Sequence, residues 1–359
     1  MVFDYVDGAA QSECTALANR QGLDQVALLP APLRDVSQRT SEVTLFGRSS
    51  RLPIIIGPTG FNGALWPRGD IELARAAEAM GIPFVMSYGA NVSMAELRSA
   101  SGARQWFQLY VPRESQRCME LVKSVAEAGF EALQITVDTA IPGRRLRDVR
   151  NGFGLPLRWT PGKLAQVLAR PGWALRMARH GMPTPVIIRD AFTGEAHHAT
   201  PSALMAKQVN PAVTWETLKR VRDLWAGPLI VKGLCNPREV SAAIATGIDG
   251  IVISNHGGRQ LDGEVSTIAM LPEFVAAAQG RLTLLIDSGF RSGTDVLKAL
   301  ALGATAVQIG RATLYGLAAA GQAGAERALS ILATELDLGM GLCNVTNLAE
   351  AGELETRRC

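Results

Sequence analysis

Eight short apolar runs, each ending in small or polar residues, constrain this chain more than any other feature. They are Pro53–Gly57, Pro83–Ser87, Trp106–Tyr110, Ala132–Asp138, Pro228–Lys232, Gly250–Ser254, Thr283–Asp287 and Ala306–Gly310. Runs this short and this continuously apolar read as parallel strands covered on both faces, because half-exposed strands alternate. Between most of them lie amphipathic stretches of helical period: Gly69–Met80, Glu114–Ala128, Thr214–Leu224, Pro237–Thr246 and Gly293–Leu302. Start-to-start spacings are mostly 22 to 33 residues, which suits repeated strand–helix units. Eight units predict a closed (β/α)8 barrel of the α/β class, with a doubly wound open sheet as the alternative. Residues 1–359 then form one domain, with 149–210 as an insertion between the fourth and fifth strands. About 90 residues intervene there, and segments of that length are commonly functional.

Composition narrows the function classes. A hydrophobic content of 47% supplies a large core, and a net charge of +3 with 19% charged residues gives no reason to expect a nucleic-acid partner. The five cysteines form no CxxC pair, and the four histidines (His180, His197, His198, His256) lack metal-ligand spacing, so no metal site is expected. Cysteine usage favours a reducing compartment. Neither an N-terminal apolar segment of signal type nor a run of 18 apolar residues is present, so a cytoplasmic protein is expected.

Barrel chemistry sits at the C-terminal strand ends. Those ends are polar here: Pro58-Thr59-Gly60, Ser87, Gln108 and Tyr110, Thr136 and Asp138, Lys232, Ser254 and His256, Asp287-Ser288-Gly289, Gly310-Arg311. Any one of them could be a strand-end cap, but so many on one rim point to a site. The turns after the last two strands, Asp287–Gly293 and Gly310-Arg311, combine glycines, helix starts and the cations Arg291 and Arg311. Backbone amides and a helix N-terminus there suit a phosphate. After the sixth strand comes Ser254-Asn255-His256-Gly257-Gly258-Arg259-Gln260-Leu261-Asp262-Gly263. A histidine at a strand end suits a general base. Asp138 on the same rim could orient it, and Arg145 and Arg259 could grip a carboxylate.

The run SNHGGRQLDG resembles the signature of the FMN-dependent 2-hydroxy acid dehydrogenase/oxidase family. The similarity extends from Asp4-Tyr5 through GPTG (57–60), WFQLY (106–110), TVD (136–138), VKG (231–233), DSGFRSG (287–293) and GRATLYG (310–316). GPTGFNGALWPRGD (57–70) and RHGMP (179–183) most resemble the (S)-mandelate dehydrogenase branch. The resemblance implies FMN as cofactor, His256 as base and Asp138 as its partner. It implies that Arg145, Arg259 and Tyr5 bind the substrate carboxylate, that Tyr110 meets the hydroxyl, and that Lys232 stands beside the flavin N1–C2=O edge. Pro58, Thr59, Gly60, Ser87, Gln108, Thr136, Ser254 and Gly257 would surround the cofactor. Asp287, Ser288, Gly289, Arg291, Gly310 and Arg311 would hold its phosphate end. The stretch before Asp4-Tyr5 is shorter than the family's, so Tyr5 is expected to be held less securely.

The implied reaction converts a 2-hydroxy acid to a 2-oxo acid. His256 takes one proton, and the α-hydrogen leaves as hydride or as a proton; the sequence admits both. Gly60 and Gly89 would leave space for an aromatic side group, unless they merely fit turns. No nicotinamide site is present, so the acceptor is a quinone or O2. From Val149 to Arg189 there are no acidic residues but seven basic ones: Arg150, Arg158, Lys163, Arg170, Arg176, Arg179 and Arg189. Trp159, Leu164, Val167, Leu168, Trp173, Leu175 and Met177 interleave with them, which suits the surface of an anionic membrane. The resemblance implies a peripheral enzyme on the cytoplasmic face of the inner membrane that passes electrons to quinone, and a homotetramer. The alternatives are a lid or subunit contact for the insertion, and for the whole a soluble oxidase making H2O2 or a non-redox flavin-binding barrel.

Overall fold

Each of the eight expected runs coincides with one strand of a closed parallel barrel, two of which extend beyond their run. These are β1 (Ile54–Ile56), β2 (Phe84–Ser87), β3 (Gln105–Tyr110), β4 (Leu133–Thr136), β5 (Leu229–Leu234), β6 (Gly250–Ile253), β7 (Thr283–Ile286) and β8 (Ala306–Ile309). Their order around the barrel is β7-β8-β1-β2-β3-β4-β5-β6, so the sheet closes where β8 pairs with β1. The computed structural model describes residues 1–153, 160–181, 183–187 and 207–358. Helices Gly69–Met80, Ser115–Glu127, Trp215–Leu224 and Gly293–Ala301 lie where helical period places them. The expected helix over Pro237–Thr246 is instead a 3-10 turn, Pro237–Glu239, followed by Val240–Ala245.

Strand period explains how the barrel is filled. Ile55, Val85, Trp106, Ala132, Ile230, Val252, Leu285 and Ala306 form one buried apolar cluster, with Leu45 and Phe46 packed beneath it. Leu45 and Phe46 belong to a hairpin, Val43–Leu45 with Arg48–Ser50, that plugs the N-terminal end; the Phe46 ring meets Trp106 edge-on at 5.6 Å. Residues two apart on a strand share a face. The next layer up is therefore Gly57, Ser87, Gln108, Gln134, Lys232, Ser254, Asp287 and Gln308, all small or polar. A sealed apolar floor under a polar layer directs the chemistry to the C-terminal mouth.

Two departures shape that mouth. Strand β5 runs to Leu234 with a shift in register between Lys232 and Leu234, and Gly233 takes φ +104°. A Cβ there would meet the Asp138 carboxyl carbon at 2.6 Å, so the bulge makes room for that carboxylate. The N-terminal helix Val2–Asp7 lies across the mouth, tied down by Arg147 to Asp7 (2.8 Å) and Glu13. Tyr5, expected to be weakly held, packs on Phe153 and Phe61 at ring distances of 5.0 and 6.2 Å.

Within the insertion, helices Pro161–Leu168 and Pro171–His180 are described, whereas Arg158, Trp159 and Arg189 lie outside the described residues. Part of the expected amphipathic face is committed to the protein. Met177 is buried, the Lys163 ammonium donates to Gly152 O at 2.7 Å, and the Trp173 indole donates to Ala64 O at 2.9 Å. Arg176 stacks over the Trp66 ring at 4.1 Å. Leu164, Leu168 and Leu175 are exposed, as are Arg170 and Arg179. No helix among the described residues is long and apolar enough to cross a membrane.

Candidate active site

One cavity opens at the C-terminal mouth. Tyr5, Pro58, Thr59, Gly60, Ser87, Tyr110, Arg145, Lys232, His256, Gly257, Arg259, Asp287, Ser288, Gly289, Arg291, Gly310 and Arg311 all line it. Four other expected residues lie just behind the wall. Asp138 meets His256, Gln108 accepts from the Ser87 hydroxyl at 3.2 Å, Ser254 accepts from Lys232 at 2.7 Å, and Thr136 is buried. Gln134 and Gln308, bonded across the barrel at 2.6 Å, went unrecognised in the sequence. Each stands two residues after an interior apolar position, the signal that would have found it.

His256 has a backbone φ of +58°, a conformation that costs a β-carbon-bearing residue about 1 kcal/mol and persists only when its surroundings impose it. Its amide donates to Ser254 Oγ at 3.1 Å. Nδ1 lies 3.0 and 3.1 Å from the two Asp138 oxygens, which leaves Nε2 facing the cavity, 3.5 Å from the Tyr110 hydroxyl. Burial pushes the imidazole below its usual pKa; Asp138 pulls it up, and Lys232 and Arg145 push it down. Burial would raise Asp138, but the adjacent His256 and then Lys232 hold it below the usual carboxylate range. A neutral imidazole with a carboxylate behind it can accept a proton at Nε2 and be stabilised once charged.

The cations are unequal. Burial would lower Lys232, but Asp287, at 2.9 Å, and Asp138 outweigh it and keep the ammonium charged. Among the described residues, Arg145, Arg259, Arg291 and Arg311 form no ion pair. Burial and then Arg145 and Arg311 bring Arg259 down to about 9; burial and then Arg291 bring Arg311 down to about 10. The side chains of Arg259 and Arg311 donate to the carbonyls of Val6 and Gly8. With Asp287 already paired to Lys232, four crowded guanidinium groups leave the cavity with an excess of positive charge, and anions would relieve it.

Polar atoms also stand without protein partners: Thr59 Oγ1, Gln108 Nε2, Thr136 Oγ1, Gln308 Oε1 and Arg145 Nε are buried and unbonded. Buried groups of this kind are normally satisfied, so several at one cavity point to a polar ligand. Ser288 and Gly289 take φ of +79° and +92° beside Arg291 and Arg311, a local backbone form found in anion nests. A ligand with a flat polar head over the strand layer and an anion near β7 and β8 fits these residues.

A family model for FMN-dependent dehydrogenases matches residues 1–357. The chain belongs to that family. It is 41% identical to (S)-mandelate dehydrogenase of Pseudomonas putida over 352 residues, covering 97% of this chain and 88% of that protein. It is 39% identical to an L-lactate dehydrogenase of Pseudomonas syringae pv. syringae (strain B728a), covering 97% and 92%. Among solved structures, that of the monotopic membrane protein (S)-mandelate dehydrogenase superposes with a TM-score of 0.92 at 39% identity, covering 99% of this chain and 94% of that one. Mandelate oxidase with (S)-4-hydroxymandelic acid gives 0.89 at 38% identity, with the same coverage. The chain is thus an FMN-dependent 2-hydroxy acid dehydrogenase of the family that includes the oxidases. FMN meets the demands of the cavity: a polar ring system for the unbonded strand-layer groups, and a phosphate for the nest.

Proposed function

We propose that this enzyme oxidises an (S)-2-hydroxy acid with an aromatic, mandelate-like side group and delivers the electrons to a membrane quinone. The observation that carries the reading is the His256–Asp138 pair at a cavity whose lining also holds Arg145, Arg259 and two glycines, Gly60 and Gly89. Neither Gly60 nor Gly89 has a positive φ, and a Cβ on either would make only ordinary contacts, the nearest at 3.6 Å. Turn geometry therefore does not demand them, and their effect is to leave room. Among the similar proteins, mandelate dehydrogenase and mandelate oxidase carry names that agree with an aromatic group in that room, whereas the L-lactate dehydrogenase does not.

In this mechanism Arg145 and Arg259 fix the substrate carboxylate, with the Tyr5 ring beneath Arg259 at 5.4 Å. Each charge-assisted contact contributes about 1.5–3 kcal/mol. His256 Nε2 takes the hydroxyl proton, Tyr110 orients that hydroxyl, and Asp138 stabilises the imidazolium. Bound FMN supplies the two-electron acceptor. Lys232 would supply a fixed positive charge to the bound ring, and the turns after β7 and β8, with Arg291 and Arg311, would hold the phosphate. The chain works as one barrel domain with residues 149–210 inserted in it. The exposed leucines and arginines of Pro161–His180 make the membrane contact, in line with the description of the mandelate dehydrogenase structure as monotopic. The protein acts as a peripheral cytoplasmic-face homotetramer.

Four measurements test this. The purified protein is expected to be yellow and to release FMN on denaturation; recovery of FAD overturns the single-phosphate site. Anaerobic mixing with (S)-mandelate should bleach the flavin faster than (S)-lactate does. Reoxidation by a soluble quinone should outpace that by O2, and the reverse result would make the enzyme a peroxide-forming oxidase. Gly89→Phe should refill the room, weakening (S)-mandelate by roughly 1–3 kcal/mol, about 5- to 150-fold, against (S)-lactate. An unchanged preference would remove Gly89 from the substrate wall.

A further inference from the structure

The segment GPTGFNGALWPRGD ends on a carboxylate that the mechanism leaves unused. Asp70 opens the helix Gly69–Met80 and is fully buried, yet no cation pairs with it among the described residues. Its partners are amides from two different strand-end loops. Asn62 Nδ2, in the loop after β1, donates to Oδ1 at 2.8 Å; the Asn91 backbone amide, in the loop after β2, donates to Oδ2 at 2.9 Å. Both loops are tied again around this link. Asn62 Nδ2 also donates to Thr59 O at 2.9 Å, and the Gly63 amide donates to Asn91 Oδ1 at 2.9 Å. Gly69 is shaped for the arrangement, since a Cβ there would meet Asn62 O at 2.6 Å.

The two loops joined by Asp70 carry Gly60 and Gly89. Beside the Gly63–Asn91 bond, the backbones of the two loops meet through the Phe61 amide and Gly89 O, a long 3.3 Å. A buried carboxylate without a cation is expensive to maintain, and burial raises Asp70 to about 6. An apolar residue or an amide would fill the same space at lower cost, so the carboxylate is explained by what it alone offers: two acceptor oxygens facing two donors.

We infer that Asp70 is a positioning residue for substrate choice, a bridge that fixes how the Gly60 and Gly89 loops sit against each other and with it the position of the wall they present to the substrate's side group. The inference rests on the reading of those glycines as the substrate wall. Asp70 touches neither substrate nor cofactor and acts through Asn62 and Asn91. Asparagine at position 70 can face only one of the two donors with an acceptor; its amide group must confront the other.

The test compares KM and kcat for (S)-mandelate and (S)-lactate in the FMN-bound enzyme. Asp70→Asn should raise KM for (S)-mandelate by about tenfold more than for (S)-lactate, leaving the visible flavin spectrum unchanged. In the exchange variant Asn62→Asp/Asp70→Asn, the amide at 70 can donate to the carboxylate at 62 while its oxygen accepts from the Asn91 amide. The exchange leaves Thr59 O without its donor, so that variant should recover part of the discrimination. Asn91→Ala removes only the Gly63 link and should shift the preference in the same direction to a smaller extent; it serves alone if the buried substitutions prevent folding. Equal losses on both substrates in Asp70→Asn, or no change in preference in Asn91→Ala where the buried variants do not fold, would overturn the inference. Failure of the aromatic reading would already show in the wild type as bleaching by (S)-lactate and not by (S)-mandelate. The comparison then uses (S)-lactate and the largest 2-hydroxy acid that bleaches the flavin.

Discussion

Replacing His256 with alanine is expected to lower anaerobic flavin reduction by about 10²–10⁴-fold while FMN stays bound. The imidazole is the group whose Nε2 faces the cavity with a carboxylate behind it, 3.0 Å from Nδ1. FMN retention should survive because Lys232, Arg291, Arg311 and the β7–β8 turns are untouched. The pH profile gives a second readout. Burial, reinforced by Lys232 and Arg145, lowers the imidazole pKa, so the acid limb of kcat/KM should fall below the ordinary histidine range. Asp138 pulls the other way, so Asp138→Asn should displace that limb to still lower pH while slowing the reaction. A His256→Ala enzyme that bleaches at near wild-type rate removes the residue from proton transfer. An acid limb that stays put in Asp138→Asn separates the carboxylate from it.

The eight strands were legible because parallel strands covered on both faces leave a simple record, a short apolar run with a polar end. The site was legible for a related reason. Period two carries each interior apolar residue to a partner one layer higher, and Lys232, Ser254 and Asp287 follow from Ile230, Val252 and Leu285 in that way. Gln134 and Gln308 follow by the same rule and were overlooked, since neither stands at the end of its run. Other features depend on tertiary contacts that no local pattern encodes. The register shift at Gly233 exists to admit Asp138, nearly a hundred residues away in the chain. Arg147 anchors the N-terminal helix, and nothing in its own neighbourhood announces Asp7 or Glu13 as partners. Likewise an amphipathic reading of 149–189 could not distinguish Trp173 and Arg176, which dock on Ala64 and Trp66, from the leucines that stay exposed.

That sorting of the insertion sharpens the membrane prediction. Cutting out the whole segment would be a poor test, because Pro185 and Val209 line the cavity and the Val186 amide donates to Ala90 O at 3.0 Å. A substrate wall would go with the deletion. Leu164, Leu168 and Leu175 are 50%, 68% and 53% exposed, and they can be changed without touching that wall. If they enter the interface of an anionic bilayer, each buries enough apolar surface to contribute about 1 kcal/mol, and the three together roughly 10²-fold in binding. Arg170 and Arg179, also exposed, add about 1 kcal/mol each through attraction that salt screens. Wild-type enzyme should therefore co-sediment with phosphatidylglycerol vesicles at low salt and remain partly bound at high salt. The triple change of these leucines to serine should abolish the salt-resistant fraction and leave a weaker, fully salt-sensitive one, while anaerobic bleaching by the hydroxy acid is unaltered. Vesicle binding equal to wild type at high salt would exclude the leucines as the contact. Loss of bleaching in the triple variant would mean that the two helices act on the cavity as a lid.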